Sequence, residues 1–148
     1  MEISLFDCVS PLDYRYYGDD PKMVELLAPT VSERAYIASE LEVEAAAVAV
    51  LARRGICSPQ IADEVWSAIS RVTPEQVHEE DKRIHHDTRA MVNCLREQVS
   101  DAAKPYVHLC LTSFDVKDTA LALRLKRAAH DAVIPELKKL ELILIELA

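Results

Sequence analysis

The chain has 148 residues, half of them apolar, which is enough to bury a core without disulfides or a structural metal. Its formal net charge of -8 excludes the extended basic face that a nucleic-acid backbone demands, so no nucleic-acid partner is expected. No stretch reaches the roughly 18 consecutive apolar residues of a membrane span, and "MEISLFDCVS" lacks the basic flank and long apolar run of a signal peptide.

Two glycines, few aromatics and an abundance of Ala, Leu, Glu, Lys and Arg predict an all-α fold, because these residues lose least on entering a helix. The opening segment through Asp19 mixes Pro, Asp, Gly, three tyrosines and Arg15, which suits an irregular arm. A short helix over "PKMVELLA" follows. Thr30 and Glu33 then read as a capping box for a long helix ending at Gly55. Ser58 with Pro59 opens the next helix, and Thr73 with Gln76 forms another capping box. A helix over about 86–100 carries Met91, Leu95 and Val99 on one face, and "DAAKPY" breaks it. From "TSFD" to Ala148 the pattern predicts a single long helix kinked at Pro135. Its last stretch, "LELILIELA", is apolar nearly all round and needs cover, from self-association or from chain beyond Ala148. Cysteines 8, 57, 94 and 110 show no paired spacing, which fits reduced thiols and a cytoplasmic setting.

Three polar clusters each admit a functional and a structural reading. In "IHHD", Asp87 could hold an imidazole in one tautomer while the ring's other nitrogen faces a ligand; alternatively His85 and His86 are a helix start with Asp87 favoured by the dipole. No metal is expected, because adjacent histidines diverge on a helix and no HExxH-like spacing is present. In "LTSFD", Thr112 and Asp115 resemble a capping box with Ser113 as the first helical residue, and such a start is equally an anion site. In "DYRYYG", Arg15 can grip phosphate or carboxylate with Tyr16 beside it, or simply sit exposed in the arm. His108, on an apolar stretch, reads as a satisfied core residue, and His78 and His130 as solvated.

Taken together, "SPLDYRY", "HHDTRAMV" and "YVHLCLTSFDVKDTA" resemble, in order and spacing, the N-terminal motifs of the adenylosuccinate lyases of the fumarase/aspartase superfamily. The resemblance implies a helical N-terminal domain over 1–111, then the first long helix of a central bundle over 112–148. It implies elimination of fumarate from adenylosuccinate, giving AMP, and from the succinyl-carboxamide ribotide of purine biosynthesis, without a cofactor. Arg15 and Tyr16 match the contact to the nucleotide end; His85, His86 and Asp87 match the substrate-binding segment, with His86 in a supporting catalytic role; Thr112 and Ser113 match the hydroxyl pair on a succinyl carboxylate. His85 departs from the family's Arg or Asn. His108 also falls on a histidine position of the family.

Two further family segments, "THG" with the general acid and "SSxMPxKxN" with the base, do not occur in these 148 residues. The resemblance therefore implies an N-terminal portion, inactive alone, of an enzyme whose complete site draws on three subunits of a homotetramer. The alternatives are another lyase or a cycloisomerase of the same superfamily, which shares the Thr-Ser turn, or a non-enzymatic helical interaction module.

Overall fold

The computed structural model describes residues 5–7 and 21–148. Among them there is no strand, and the all-α expectation holds. In chain order the helices are α1 (Pro21–Val31), α2 (Glu33–Arg53), α3 (Pro59–Ala68), α4 (Pro74–Ile84), α5 (Asp87–Glu97), α6 (Ser113–Ala128) and α7 (Ile134–Leu147). The chain divides into two compact units, one from the described residues of Met1–Tyr36 with Ala122–Ala148, the other Ile37–Leu121.

Most helix boundaries follow from residues that satisfy the orphan backbone groups at helix ends. Ser58 caps α3 by accepting the Ile61 N–H, with Pro59 following. Thr73 and Gln76 form the reciprocal capping box of α4. At the end of α2, Gly55 takes φ +73°, and the Ile56 and Gly55 N–H groups bond back to Leu51 and Ala52. This 6→1 and 5→2 pairing is the Schellman closure, and a left-handed glycine makes it without a Cβ penalty.

Two boundaries differ from the sequence expectation. The cap of α2 is Ser32, not Thr30. The Ser32 hydroxyl accepts the Ala35 N–H at 3.2 Å and donates to the Ala28 carbonyl at 2.6 Å, whereas Thr30 lies inside α1 with its hydroxyl on the Leu27 carbonyl. Helix α5 also stops at Glu97, short of residue 100. There Glu64 captures both the N–H and the hydroxyl of Ser100, drawing the chain into a turn before a short 3-10 turn at Lys104–Tyr106.

The core of the Ile37–Leu121 unit gathers Leu41, Ala45 and Val48 from α2, Val65 and Ala68 from α3, Met91, Leu95 and Val99 around α5, and Val116 and Ala120 from α6. Met91 and Leu95 are fully buried, so the predicted apolar face of α5 is the one that packs. Alanines along α2 allow close approach: Ala45 is completely enclosed. Helices α4 and α5 pack against each other, and Glu80 ties them by accepting from Arg83 and from Asn93.

In the other unit, α1 packs against the segment Ala129–Val133. Arg124 donates to the Thr30 and Val31 carbonyls while lying 5.1 Å above the Tyr36 ring, so a cation closes the negative end of α1. The predicted interruption at Pro135 takes a specific form. Residues Ala129–Val133 are π-helical, with the Ile134 N–H on the Ala129 carbonyl, five residues back. A proline offers no N–H and its ring crowds the carbonyl four residues before it, here that of Asp131; the wider π turn absorbs that conflict. Helix α7 then exposes Leu137, Leu140 and every residue of 141–148.

Candidate functional site

The "HHD" segment is a helix-to-helix junction. His85 ends α4 in the left-handed conformation, φ 54° and ψ 45°, with its N–H on the Asp81 carbonyl at 2.7 Å. His86 returns to extended backbone and caps α5, its Nδ1 accepting the Arg89 N–H at 3.2 Å. A capping Nδ1 carries no proton, so the neutral ring holds its proton on Nε2 and presents a donor there. Asp87, the first residue of α5, bonds Thr88 N–H at 2.7 Å and Lys117 Nζ at 2.6 Å.

The expectation that Asp87 orients an adjacent imidazole is corrected here. The His86 Nδ1 to Asp87 Oδ1 separation is 4.0 Å, and the helix N–H of Arg89 sets the His86 tautomer instead. Burial pushes the Asp87 carboxyl upward, but the Lys117 ammonium and the Thr88 N–H outweigh it and hold the group below its ordinary value.

The Asp87–Lys117 pair joins the start of α5 to the second turn of α6 and so brings two predicted clusters together. Helix α6 begins at Ser113 as expected. Thr112 donates both its N–H, at 2.7 Å, and its hydroxyl, at 2.8 Å, to Asp115 Oδ2. Those two bonds hold the Asp115 carboxyl below its usual range. Asp115 is thus itself an anion at this helix start, and an added anion must use the remaining first-turn N–H groups and the Ser113 hydroxyl. Beside this start, an open groove of about 590 Å3 has Val50, Cys110, Phe114, Asp115 and Thr119 among its walls.

The chain enters α6 through a segment with unusual backbone. His108 and Cys110 have φ of 64° and 61°, a region that side chains other than glycine enter at a cost. Glu44 of α2 compensates. Its side chain is fully buried, and it accepts the His108 N–H at 2.9 Å and lies 2.6 Å from His108 Nδ1. His108 is therefore the satisfied, largely buried histidine that the sequence suggests.

Sequence reasoning missed Glu44 and Lys117. Glu44 sits in an Ala-rich run that reads as a packing surface, and Lys117 is one of many lysines; only pairing across 64 and 30 residues distinguishes them. Arg15 and Tyr16, the predicted nucleotide-end contacts, lie outside the described residues. Among the described residues, no group of three or more His, Cys, Asp or Glu side chains is arranged to hold a metal. Cys94 is buried, which pushes its thiol up to about 11 and makes it a poor nucleophile. No helix among the described residues is long and apolar enough to cross a membrane.

No family profile and no solved structure matches the chain. Its sequence is similar to adenylosuccinate lyases across wide evolutionary distance. The protein of that name from Archaeoglobus fulgidus is 36% identical over 118 residues, covering 80% of this chain and 24% of the relative. That from Pyrococcus abyssi is 37% identical over 146 residues, 95% of this chain and 30% of the relative. The Synechocystis protein is 39% identical over 100 residues, 68% of this chain and 22% of the relative. The chain thus spans less than a third of the length of these relatives. Over that span, and with its helical fold, the chain belongs to the adenylosuccinate lyase family.

Proposed function

We propose that this chain supplies part of the substrate-binding machinery of a lyase that eliminates fumarate from adenylosuccinate and from the succinyl-carboxamide ribotide of purine biosynthesis. The observation that carries the reading is the Asp87–Lys117 pair, which couples two helix N-termini bearing the family-like "HHD" and "TSFD" motifs. Both starts present the positive end of a dipole, and α6 adds first-turn N–H groups, the chemistry that holds carboxylates and phosphates. At α5 the Thr88 and Arg89 N–H groups are already taken by Asp87 and His86.

In the proposed reaction a proton leaves the carbon beside one succinyl carboxylate, negative charge builds on that carboxylate, and the amino nitrogen departs after protonation. The Ser113 hydroxyl and the first-turn N–H groups of α6 bind the carboxylate as charge accumulates, because donors already in place lower the barrier without reorganising. Thr112 joins them by turning its hydroxyl from Asp115. His86, with its proton on Nε2, donates to the substrate in a supporting role. His85, Asp87 and Lys117 shape the same region, and Arg15 and Tyr16 bind the nucleotide end. In this reading residues 1–111 form the helical N-terminal domain and residues 112–148 begin the bundle of a cytoplasmic homotetramer.

Neither the "THG" nor the "SSxMPxKxN" segment is present in the 148 residues, so the chain alone releases no fumarate from adenylosuccinate. Absorbance at the fumarate band tests this, and steady release would contradict it. Calorimetric titration with AMP tests the nucleotide contact. Arg15→Ala should weaken binding by about 1.5–3 kcal/mol, the worth of a hydrogen bond to a charged group; equal affinity of variant and parent would remove Arg15 from the site.

A further inference from the structure

We infer that Glu44 is a positioning residue that fixes His108 as the Nδ1–H tautomer, so that Nε2 of His108 is a proton acceptor where His86 Nε2 is a donor. The evidence is geometric. Glu44 has a fully enclosed side chain and turns both carboxylate oxygens on one residue, Oε2 on the His108 N–H at 2.9 Å and Oε1 on Nδ1 at 2.6 Å. The backbone N–H can only donate. An ionised carboxylate has only acceptors, so a neutral ring can bond to it only as the Nδ1–H tautomer. The proton therefore rests on Nδ1. Among the described residues His108 Nε2 has no partner, and the side chain retains 16% exposure.

The arrangement also explains the cost of the segment. His108 at φ 64° is an unfavoured conformation for a residue with a Cβ, and the two bonds to a buried carboxylate offset it. The same carboxylate thus fixes both the shape of the turn leading to Thr112 and Ser113 and the protonation pattern of the ring. His86 is held oppositely, because the Arg89 N–H occupies its Nδ1. The assignment of tautomers stands on the contacts alone; only its use on substrate rests on the lyase reading.

Nitrogen-15 correlation spectra of the imidazole rings in the 148-residue chain test this directly. At neutral pH the expected pattern is a pyrrole-type Nδ1 and pyridine-type Nε2 for His108, and the reverse for His86. A His108 ring protonated on Nε2 instead, with pyridine-type Nδ1, would overturn the inference, and this measurement needs no variant to fold.

Glu44→Gln provides a second, sharper test. An amide has one accepting oxygen, and the fixed His108 N–H retains it. The ring then faces the amide NH2 and must accept at Nδ1, moving its proton to Nε2. Reversal of the His108 tautomer in the folded variant supports the inference, and an unchanged Nδ1–H contradicts it. AMP or adenylosuccinate that leaves the His108 ring untouched, with the wild-type tautomer in place, counts against the lyase reading and not against the role of Glu44.

Discussion

At the residue scale, one contact sets the state of His86. Capping α5 requires an unprotonated Nδ1, which leaves the neutral ring's proton on Nε2, the nitrogen through which the proposed substrate contact would run. The two roles separate by substitution. His86→Ala should cost about 1 kcal/mol of stability through the lost cap, whereas His86→Asn should keep most of it, since Asn is a strong N-cap. Chemical denaturation measures the difference, and equal midpoints for wild type and His86→Ala would remove the cap from the account. Of the two readings of "HHD" weighed from the sequence, the helix-start geometry is present, and the Arg89 N–H rather than Asp87 selects the His86 tautomer. The αL backbone of His85 was not legible, because nothing marks that position as a left-handed link except the distance between two helices that only the fold reveals.

At the element scale, side-chain caps were the most legible feature. Ser58, the Thr73–Gln76 box and Gly55 act where the sequence places them, because each makes bonds within six residues. Ser32 shows the limit of that logic. Thr30 and Glu33 have the right spacing, but α1 continues past Pro29 to Val31, and Ser32, the residue between the helices, takes the cap. Ser32→Ala should therefore cost about 1 kcal/mol, and Thr30→Val clearly less; the opposite order in thermal melts would restore the Thr30 cap. Gly55 provides a companion case. A Cβ there meets nothing within 4 Å, so Gly55→Ala is penalised by backbone conformation alone. The expected loss is about 1–2 kcal/mol, and a neutral result would mean that the turn relaxes out of the left-handed region.

At the scale of the whole molecule, the helical class followed from composition, while the convergence of the site did not. Glu44 with His108 and Asp87 with Lys117 join residues far apart in sequence, and no local pattern encodes such pairing. The carboxylates held low in the fold set the acid response. Glu80 is brought from 4.5 to about 2, chiefly by Arg83 and then Asn93, and Asp87 and Asp115 are lowered as well. A depressed carboxyl stabilises the fold above its unfolded value and loses that contribution as pH falls through its folded value. Stability should accordingly decline between about pH 4.5 and 2, and Glu80→Gln should flatten the decline; an unaltered acid profile would exclude Glu80 as a contributor.

Helix α7 sets the behaviour of the chain in solution. Leu142, Ile143, Leu144 and Ile145 are all more than half exposed, far more apolar surface than a lone helix tolerates in water. The chain should self-associate in sedimentation experiments, and replacing Leu142 and Ile145 with glutamate should weaken that association. A monodisperse monomer that keeps a folded α7 would contradict this.

The central claim is that the starts of α5 and α6 serve one anionic metabolite. Backbone amide spectra of the labelled chain, recorded as adenylosuccinate is added, test it most directly. Shifts concentrated at once on Asp87–Arg89 and Ser113–Asp115 are the predicted result; shifts confined to one segment, or spread with no focus on either, would contradict it.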